Sequence, residues 1–235
     1  MKKKHFVIIP AAGSGSRFNA NCAPKQYHIL LDKPVIAWTI GIFTENPNIS
    51  QIVVVVAPDD CYDYSKLIQE NNNIIVIKNG GETRAESVKN GLDYIIENFE
   101  YSSEDLVLIH DAARCCLHRE SLSLLLQQYK PIYAGAILAK PVTDSLKNTS
   151  QMDNNDIVIN SLVSRDHLYI AETPQIFKIS ALANKITRQQ GLAYTDEASL
   201  FTELGTVQII INVHPNPKVT YQYDIPYIEL LIKSA

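Results

Sequence analysis

The segment "HFVIIPAAGSGSR", residues 5–17, decides how the rest of the chain is read. The run His5–Ile9 is continuous rather than alternating, as a strand covered on both faces is. It gives way after Pro10 to a turn of two alanines, two glycines and two serines that ends in Arg17. A glycine-rich turn directly after a buried strand lets backbone N–H groups approach an anion, because nothing bulky stands between. Two common phosphate loops fail here. The dinucleotide fingerprint needs G-x-G-x-x-G, and Phe18 occupies the place of the third glycine after Gly13 and Gly15. A Walker loop needs a Gly-Lys pair, and the chain has none. What remains is a loop of N–H donors with Arg17 at its end and Lys25 shortly after. Arg17 can fork two phosphate oxygens, and Lys25 adds a compact point charge.

Working outward, short β-branched runs alternate with helical patterns. Residues 5–9, 51–57, 73–77, 105–110 and 134–139 read as buried strands, and 34–45, 61–70, 83–99 and 119–129 as helices. In the third helix Val88, Leu92, Ile95 and Ile96 recur at helical spacing, with Thr83 as N-cap. This alternation predicts an α/β fold with a mostly parallel sheet. The rhythm breaks after Pro141. Residues 141 to about 170 are polar and turn-rich, with an alternating "IVINSLV" at 157–163, and read as an inserted β-arm. Such an arm cannot bury its apolar side alone, which predicts a homodimer built through it. Residues 196–205 read as a helix ending at Gly205, followed by a strand at 207–213 and a last helix near 224–233.

The chain has 235 residues, which fits one large α/β domain, 1–235, or a domain plus a small appendage. A net charge of −4 argues against a nucleic-acid binder. The four cysteines, Cys22, Cys61, Cys115 and Cys116, form no CxxC pair and read as reduced thiols. No signal-peptide core and no membrane-length apolar run is present in the sequence, so a cytoplasmic protein is expected.

In open α/β sheets, ligands bind outside the carboxyl ends of the strands. Three polar turns meet there: "PAAGSGSR" (10–17), "GGETRAES" (80–87) and "HDAAR" (110–114). Asp111 stands where a Mg²⁺-facing carboxylate or a turn cap would. Arg114 is a substrate clamp or a salt-bridge partner, and His110 is best read as a buried, hydrogen-bonded residue. Gly80 and Gly81 permit close approach to a planar ligand, and Ser87 serves either a base edge or the helix start. Arg165 and Lys218, taken alone, read as solvated charges, and Asp196–Glu197 as acids favouring a helix dipole. No Ser-His-Asp order, HExxH or EF-hand pattern occurs.

"PAAGSGSR", "PKQY" (24–27), "GGETRAESV" (80–88), "HDAAR", "TPQ" (173–175), "TDEAS" (195–199) and "KVT" (218–220), in this order along nearly the whole chain, resemble the 2-C-methyl-D-erythritol 4-phosphate cytidylyltransferase family of non-mevalonate isoprenoid biosynthesis. The resemblance implies a doubly wound, Rossmann-like nucleotidyltransferase domain, residues 1–235, whose β-arm at about 141–170 exchanges between two subunits. It implies that CTP and 2-C-methyl-D-erythritol 4-phosphate give the cytidine diphosphate product and pyrophosphate, with Mg²⁺ as cofactor. Arg17, Lys25 and Lys218 would act on the reacting phosphates. Pro10, Ala11, Ala12, Gly13, Gly15, Gly81, Glu82, Ser87, Asp111 and Ala112 would form the nucleotide site, with Asp111 beside the metal and ribose. Arg114, Ser145, Arg165, Thr173 and Lys218 would bind the sugar phosphate, Arg165 and Thr173 across the dimer. Ser145 stands where the family often has threonine. Cys115 replaces a usual proline, "KVTYQYD" lacks the usual proline and acid after "KVT", and the path from Arg17 to Lys25 is one residue longer than typical. A ribitol-5-phosphate cytidylyltransferase is the nearest alternative, but that family resembles "LAGG" and "HDAVR" where this chain has "PAAG" and "HDAAR". A nucleotide-binding regulator without catalysis is the alternative from another class.

Overall fold

The computed structural model describes residues 3–15, 17–18, 24–188, 194–201, 203 and 205–234. In chain order the elements are β1 (His5–Pro10), β2 (Ile29–Leu30), β3 (Lys33–Pro34), α1 (Val35–Thr44), β4 (Gln51–Val55), α2 (Ser65–Glu70), β5 (Ile74–Ile77) and α3 (Arg84–Asn98). Then follow β6 (Leu106–Ile109), α4 (Arg119–Gln128), β7 (Gly135–Pro141), β8 (Leu146–Gln151), β9 (Ile157–Val163), β10 (Tyr169–Lys178), α5 (Ile179–Arg188), β11 (Val207–Ile211) and α6 (Ile225–Ser234).

Seven strands form the central sheet in the order β11-β7-β10-β6-β1-β4-β5. All neighbours pair in parallel except β10, which runs antiparallel to both β6 and β7. The expected α/β fold is present, with one antiparallel strand in a mostly parallel sheet. Alternate residues of β1 serve two layers, because successive side chains point to opposite faces. Val7 and Ile9 pack with Ile36, Ile40 and Phe43 of α1 and Leu122 and Leu125 of α4. Phe6 and Ile8 pack with Val88, Leu92 and Ile95 of α3 and Leu182 and Ile186 of α5. From β1 the chain winds outward through β4 and β5, then returns to place β6 on the other side of β1. That reversal is the topological switch point where doubly wound sheets open a crevice.

Several sequence expectations change in detail. The helix expected over 196–205 is, among the described residues, only a 3-10 turn at Glu197–Leu200; Thr202 and Leu204 lie outside the described residues. The turn is tied to the sheet instead of extending: Gln175 Oε1 accepts from the Ala198 N–H at 3.0 Å, and Asp196 Oδ1 accepts from Ser199 at 3.0 Å. The helix expected from residue 61 starts at Ser65. Strand 207–213 stops at Ile211, where Asn212 turns inward to accept from Ser121 Oγ at 2.7 Å. Strand β10 and helix α5 were not expected. β10 hides its identity behind buried polar residues, Glu172, Thr173 and Gln175. α5 carries Ile179, Leu182 and Ile186 on one buried stripe, a periodicity that was available to find it.

Between β7 and β10 the chain leaves the sheet as an antiparallel hairpin of β8 and β9. Its apolar residues are uncovered: Ile157 is 73% exposed, Ile159 63% and Leu162 75%. Among the described residues no helix is long and apolar enough to cross a membrane. Cys61, Cys115 and Cys116 are free thiols, with Cys115 buried against Phe18, Leu30 and Val219; Cys22 lies outside the described residues.

Candidate active site

At the switch point the turns after β1 and β6 face each other, and the turn after β5 closes one side. The crevice between them is a cleft of about 330 Å³. Pro10, Ala11, Ala12, Gly13, Gly15, Arg17, Lys25, Gly81, Glu82, Ser87, Asp111, Ala112 and Lys218, all singled out in the sequence, line it. So do Ser14, Gln26, Thr83, Arg84 and Ala113.

The first turn is held from behind. The Ala11 N–H donates to Val55 O at 2.7 Å, continuing the β-ladder one residue past Pro10. Gln26, almost fully buried, donates from Nε2 to Ala11 O at 2.7 Å and to Gly13 O at 3.0 Å. Occupying these carbonyls from behind helps hold the turn open toward the cleft. Gly15 has φ +70°, and a Cβ there would lie 2.9 Å from Lys25 N, so glycine lets the turn fold back on the lysine segment. Lys25 Nζ donates to Val219 O at 2.7 Å, which ties this segment to the "KVT" loop. Burial, joined by the charges of Lys218 and Arg17, lowers the Lys25 ammonium pKa to about 8.

The wall after β5 rests on Gly80 and the cap of α3. A Cβ on Gly80 would meet Ala12 Cβ at 2.3 Å and Val56 O at 2.7 Å, so the two turns touch through a position only glycine fits. Thr83 and Glu86 form a capping box, satisfying each other's N–H groups at 3.1 and 3.0 Å. Ser87 Oγ accepts from Gly81 N at 3.2 Å and donates to Thr83 O at 3.1 Å.

Asp111 forms the charged floor. Its Oδ1 accepts from Arg84 Nε at 2.9 Å, its Oδ2 accepts from Lys218 Nζ at 2.8 Å, and Arg114 Nε lies 3.6 Å from Oδ2. Burial alone would raise its carboxyl pKa, but these three cations outweigh burial and hold it well below the usual carboxylate range. Behind the floor, His110 is fully buried. Its Nε2 lies 3.0 Å from Arg114 O and its Nδ1 3.2 Å from Thr173 Oγ1, and Thr173 Oγ1 accepts from the Asp111 N–H at 3.1 Å. Burial lowers the His110 imidazole pKa to about 4, so the ring is neutral and structural, as read from the sequence.

A profile described as "IspD: 2-C-methyl-D-erythritol 4-phosphate cytidylyltransferase" matches residues 5–234. The 2-C-methyl-D-erythritol 4-phosphate cytidylyltransferase of Neisseria meningitidis serogroup C is 38% identical over 236 residues, with 100% of both chains covered. The chain belongs to this cytidylyltransferase family. A crystal structure of 4-diphosphocytidyl-2C-methyl-D-erythritol synthase matches it with a TM-score of 0.83 at 35% identity, covering 99% of this chain and 100% of the other. That of the Francisella tularensis 2-C-methyl-D-erythritol 4-phosphate cytidylyltransferase matches with a TM-score of 0.77 at 30% identity, covering 97% and 100%. As a family member the chain is an enzyme, a nucleotidyltransferase.

The remaining expected residues of this cytidylyltransferase fall outside the cleft lining. Arg114 is mostly buried and donates from Nη1 to Asn216 O at 2.6 Å, bracing the segment that carries Lys218. Thr173 lies beneath Asp111, with its hydroxyl engaged as described. Ser145 and Arg165 lie in the arm region, where Ser145 Oγ accepts from Lys147 Nζ and Arg165 Nη1 donates to Thr143 O. The unusual "YQYD" segment supplies its own acid: Asp224 Oδ2 accepts from the N–H groups of Thr220 and Tyr221, both at 2.8 Å, and so starts the turn that leads into α6.

Sequence reasoning missed Gln26, Arg84 and Glu197. Glu197 was read as dipole chemistry, but its side chain is fully buried and grips Arg84 with both oxygens, at 2.7 and 3.0 Å. All three lie inside quoted motifs, "PKQY", "GGETRAES" and "TDEAS", yet only the fold shows what they touch. Elsewhere His118, Glu120 and His214 come together, with His214 Nε2 3.0 Å from Glu120 Oε2. The two imidazoles stack, centroids 4.0 Å apart and planes 13° from parallel, so their in-plane lone pairs do not converge on a common metal position.

Proposed function

We propose that this cleft transfers the cytidylyl group of CTP to 2-C-methyl-D-erythritol 4-phosphate. A phosphate oxygen of the acceptor attacks the CTP α-phosphorus in line; the new P–O bond forms as the bond to pyrophosphate breaks, and pyrophosphate leaves. The acceptor is a phosphate monoester with a second pKa of about 6, largely dianionic at neutral pH, so the nucleophile needs no general base. Positioning and charge neutralisation carry the reaction, as in phosphoryl transfer generally.

The observation that carries this reading is the gathering of Arg17, Lys25 and Lys218 around a cleft floored by Asp111 and walled by glycine turns. Arg17 and Lys25 hold the triphosphate and stabilise charge growing on the leaving pyrophosphate, while Lys218 reaches the reacting phosphates. Ala11, Ala12, Gly81, Glu82 and Ser87 surround the base. Mg²⁺ is typically held by one or two carboxylates and substrate phosphates. Asp111, kept ionised and facing the cleft beside part-exposed Lys218, fits that demand. With the phosphates it would hold a Mg²⁺ ion, which when bound neutralises phosphate charge.

The enzyme acts as a cytoplasmic homodimer. The uncovered apolar arm supports this, since two such hairpins can bury what one exposes. Arg165 and Ser145 bind the acceptor, Arg165 in the cleft of the other subunit, while Thr173, buried beneath Asp111, supports the cleft floor and does not contact the acceptor. The test is pyrophosphate release with CTP and Mg²⁺ in parallel reactions with 2-C-methyl-D-erythritol 4-phosphate, ribitol 5-phosphate and glucose 1-phosphate. Turnover with the first alone supports the assignment. Preference for ribitol 5-phosphate replaces the acceptor, and no turnover with any of them removes the reading.

A further inference from the structure

Asp111, proposed above as the metal carboxylate, already faces three cations that would compete with a metal ion for it. Arg84, Lys218 and Arg114 all face it. Lys218 is part-exposed and Arg114 is also engaged with Asn216, but Arg84 reaches Asp111 through a good 2.9 Å bond from a largely enclosed position. Glu197 stands on the far side of the same guanidinium. Its side chain is 0% exposed, it pairs bidentately with Nη1 and Nη2, and Arg84 spends only Nε on Asp111.

Glu197 is also placed rigidly. Gln175 of β10, 1% exposed, holds its turn by donating from Nε2 to Asp196 Oδ2 at 2.8 Å and accepting from Ala198 N at 3.0 Å. A line of fixed contacts therefore runs from the sheet through Glu197 and Arg84 to the cleft floor. Resting on the cytidylyltransferase reading, we propose that Glu197 is a positioning residue: by sharing the Arg84 charge it weakens the guanidinium's hold on Asp111, so that the carboxylate can turn from its present partners, Arg84 and Lys218, to a divalent cation. Without that second carboxylate the full guanidinium charge falls on Asp111 and competes with the cation.

The test compares the wild type with Glu197→Gln, which keeps the shape and an acceptor oxygen but drops the charge. Mn²⁺ binding to the protein with CTP is followed by the loss of the free Mn²⁺ electron paramagnetic resonance signal. Glu197→Gln is expected to weaken Mn²⁺ binding roughly 10–100-fold, the range typical of groups that orient metal ligands. CTP affinity in metal-free buffer should stay the same or tighten, because the cleft gains net positive charge. Opposite movements of metal and nucleotide affinity cannot come from a damaged fold. Arg84→Gln added to Glu197→Gln removes the uncompensated cation and should recover most of the Mn²⁺ affinity. Unchanged Mn²⁺ affinity in Glu197→Gln, a parallel loss of metal and CTP binding, or a double variant no better than the single one overturns the proposal. Both binding readouts are independent of turnover. Failure of wild-type pyrophosphate release would count against the functional reading and leave the role of Glu197 to be decided by the Mn²⁺ data.

Discussion

Lys25 is half-buried beside Lys218 and Arg17, and its lowered pKa has two consequences of opposite sign. The proposed grip of Lys25 on the triphosphate needs the ammonium, so in the free enzyme kcat/KM should fall as pH rises through about 8. Stability moves the other way. Between about 8 and the ordinary 10.5 the unfolded chain still holds a proton that the folded chain has released, so stability rises with pH across that window. Melting temperatures of wild type and Lys25→Met over this range check it, since the variant should lose the rise. For the reaction itself, Arg17→Ala should lower kcat about 10²–10³-fold, the scale for a well-placed charge-stabilising donor, and weaken CTP binding far less. Steady-state kinetics beside direct CTP titration separate the two effects. His110 gives the acid limit. With its pKa lowered to about 4 from 6.5, the unfolded chain gains a proton that the folded one refuses in this window. Stability should fall by about 3 kcal/mol as pH drops through it. Urea unfolding at successive pH values checks this, and His110→Asn should flatten that part of the profile.

Among the elements, the turns after β1 and β5 depend on each other through one missing side chain. Gly80→Ala places a methyl group 2.3 Å from Ala12 Cβ, so one turn must move. The expected cost is about 1–3 kcal/mol, as for overpacking elsewhere, together with weakened CTP binding. Thermal melts and CTP titration of the variant measure both; a variant that melts and binds like the wild type shows that the turns slide freely. The parallel strands, α1, α3 and α4 were legible because continuous apolar runs and 3.6-residue stripes are local signals. The 196–205 segment was not, because the contacts that shorten it, Gln175 with Ala198 and Glu197 with Arg84, span 23 and 113 residues of sequence.

For the whole molecule, the arm decides whether the site is complete within one chain. If Arg165 serves the partner's cleft, Arg17→Ala and Arg165→Ala chains are each impaired alone but complement when mixed. Random exchange makes half the dimers mixed, each with one intact cleft and one intact arm meeting, so activity should recover to about a quarter of wild type. Mixing after mild dissociation, read by pyrophosphate release, checks this; no recovery places Arg165 in its own chain's site or outside the site. The sequence by itself determined the α/β class, the three turns at the strand ends and the cations among them, because each is written in neighbouring residues. Only the tertiary structure decided that Gln26 clamps the first turn, that Thr173 and His110 lie beneath Asp111, and that Glu197 balances Arg84. Each of these is a hydrogen bond or ion pair between groups far apart in sequence. Burial selects them, because removing polar groups from water is costly unless each finds a partner, and which partner it finds depends on how the sheet is wound.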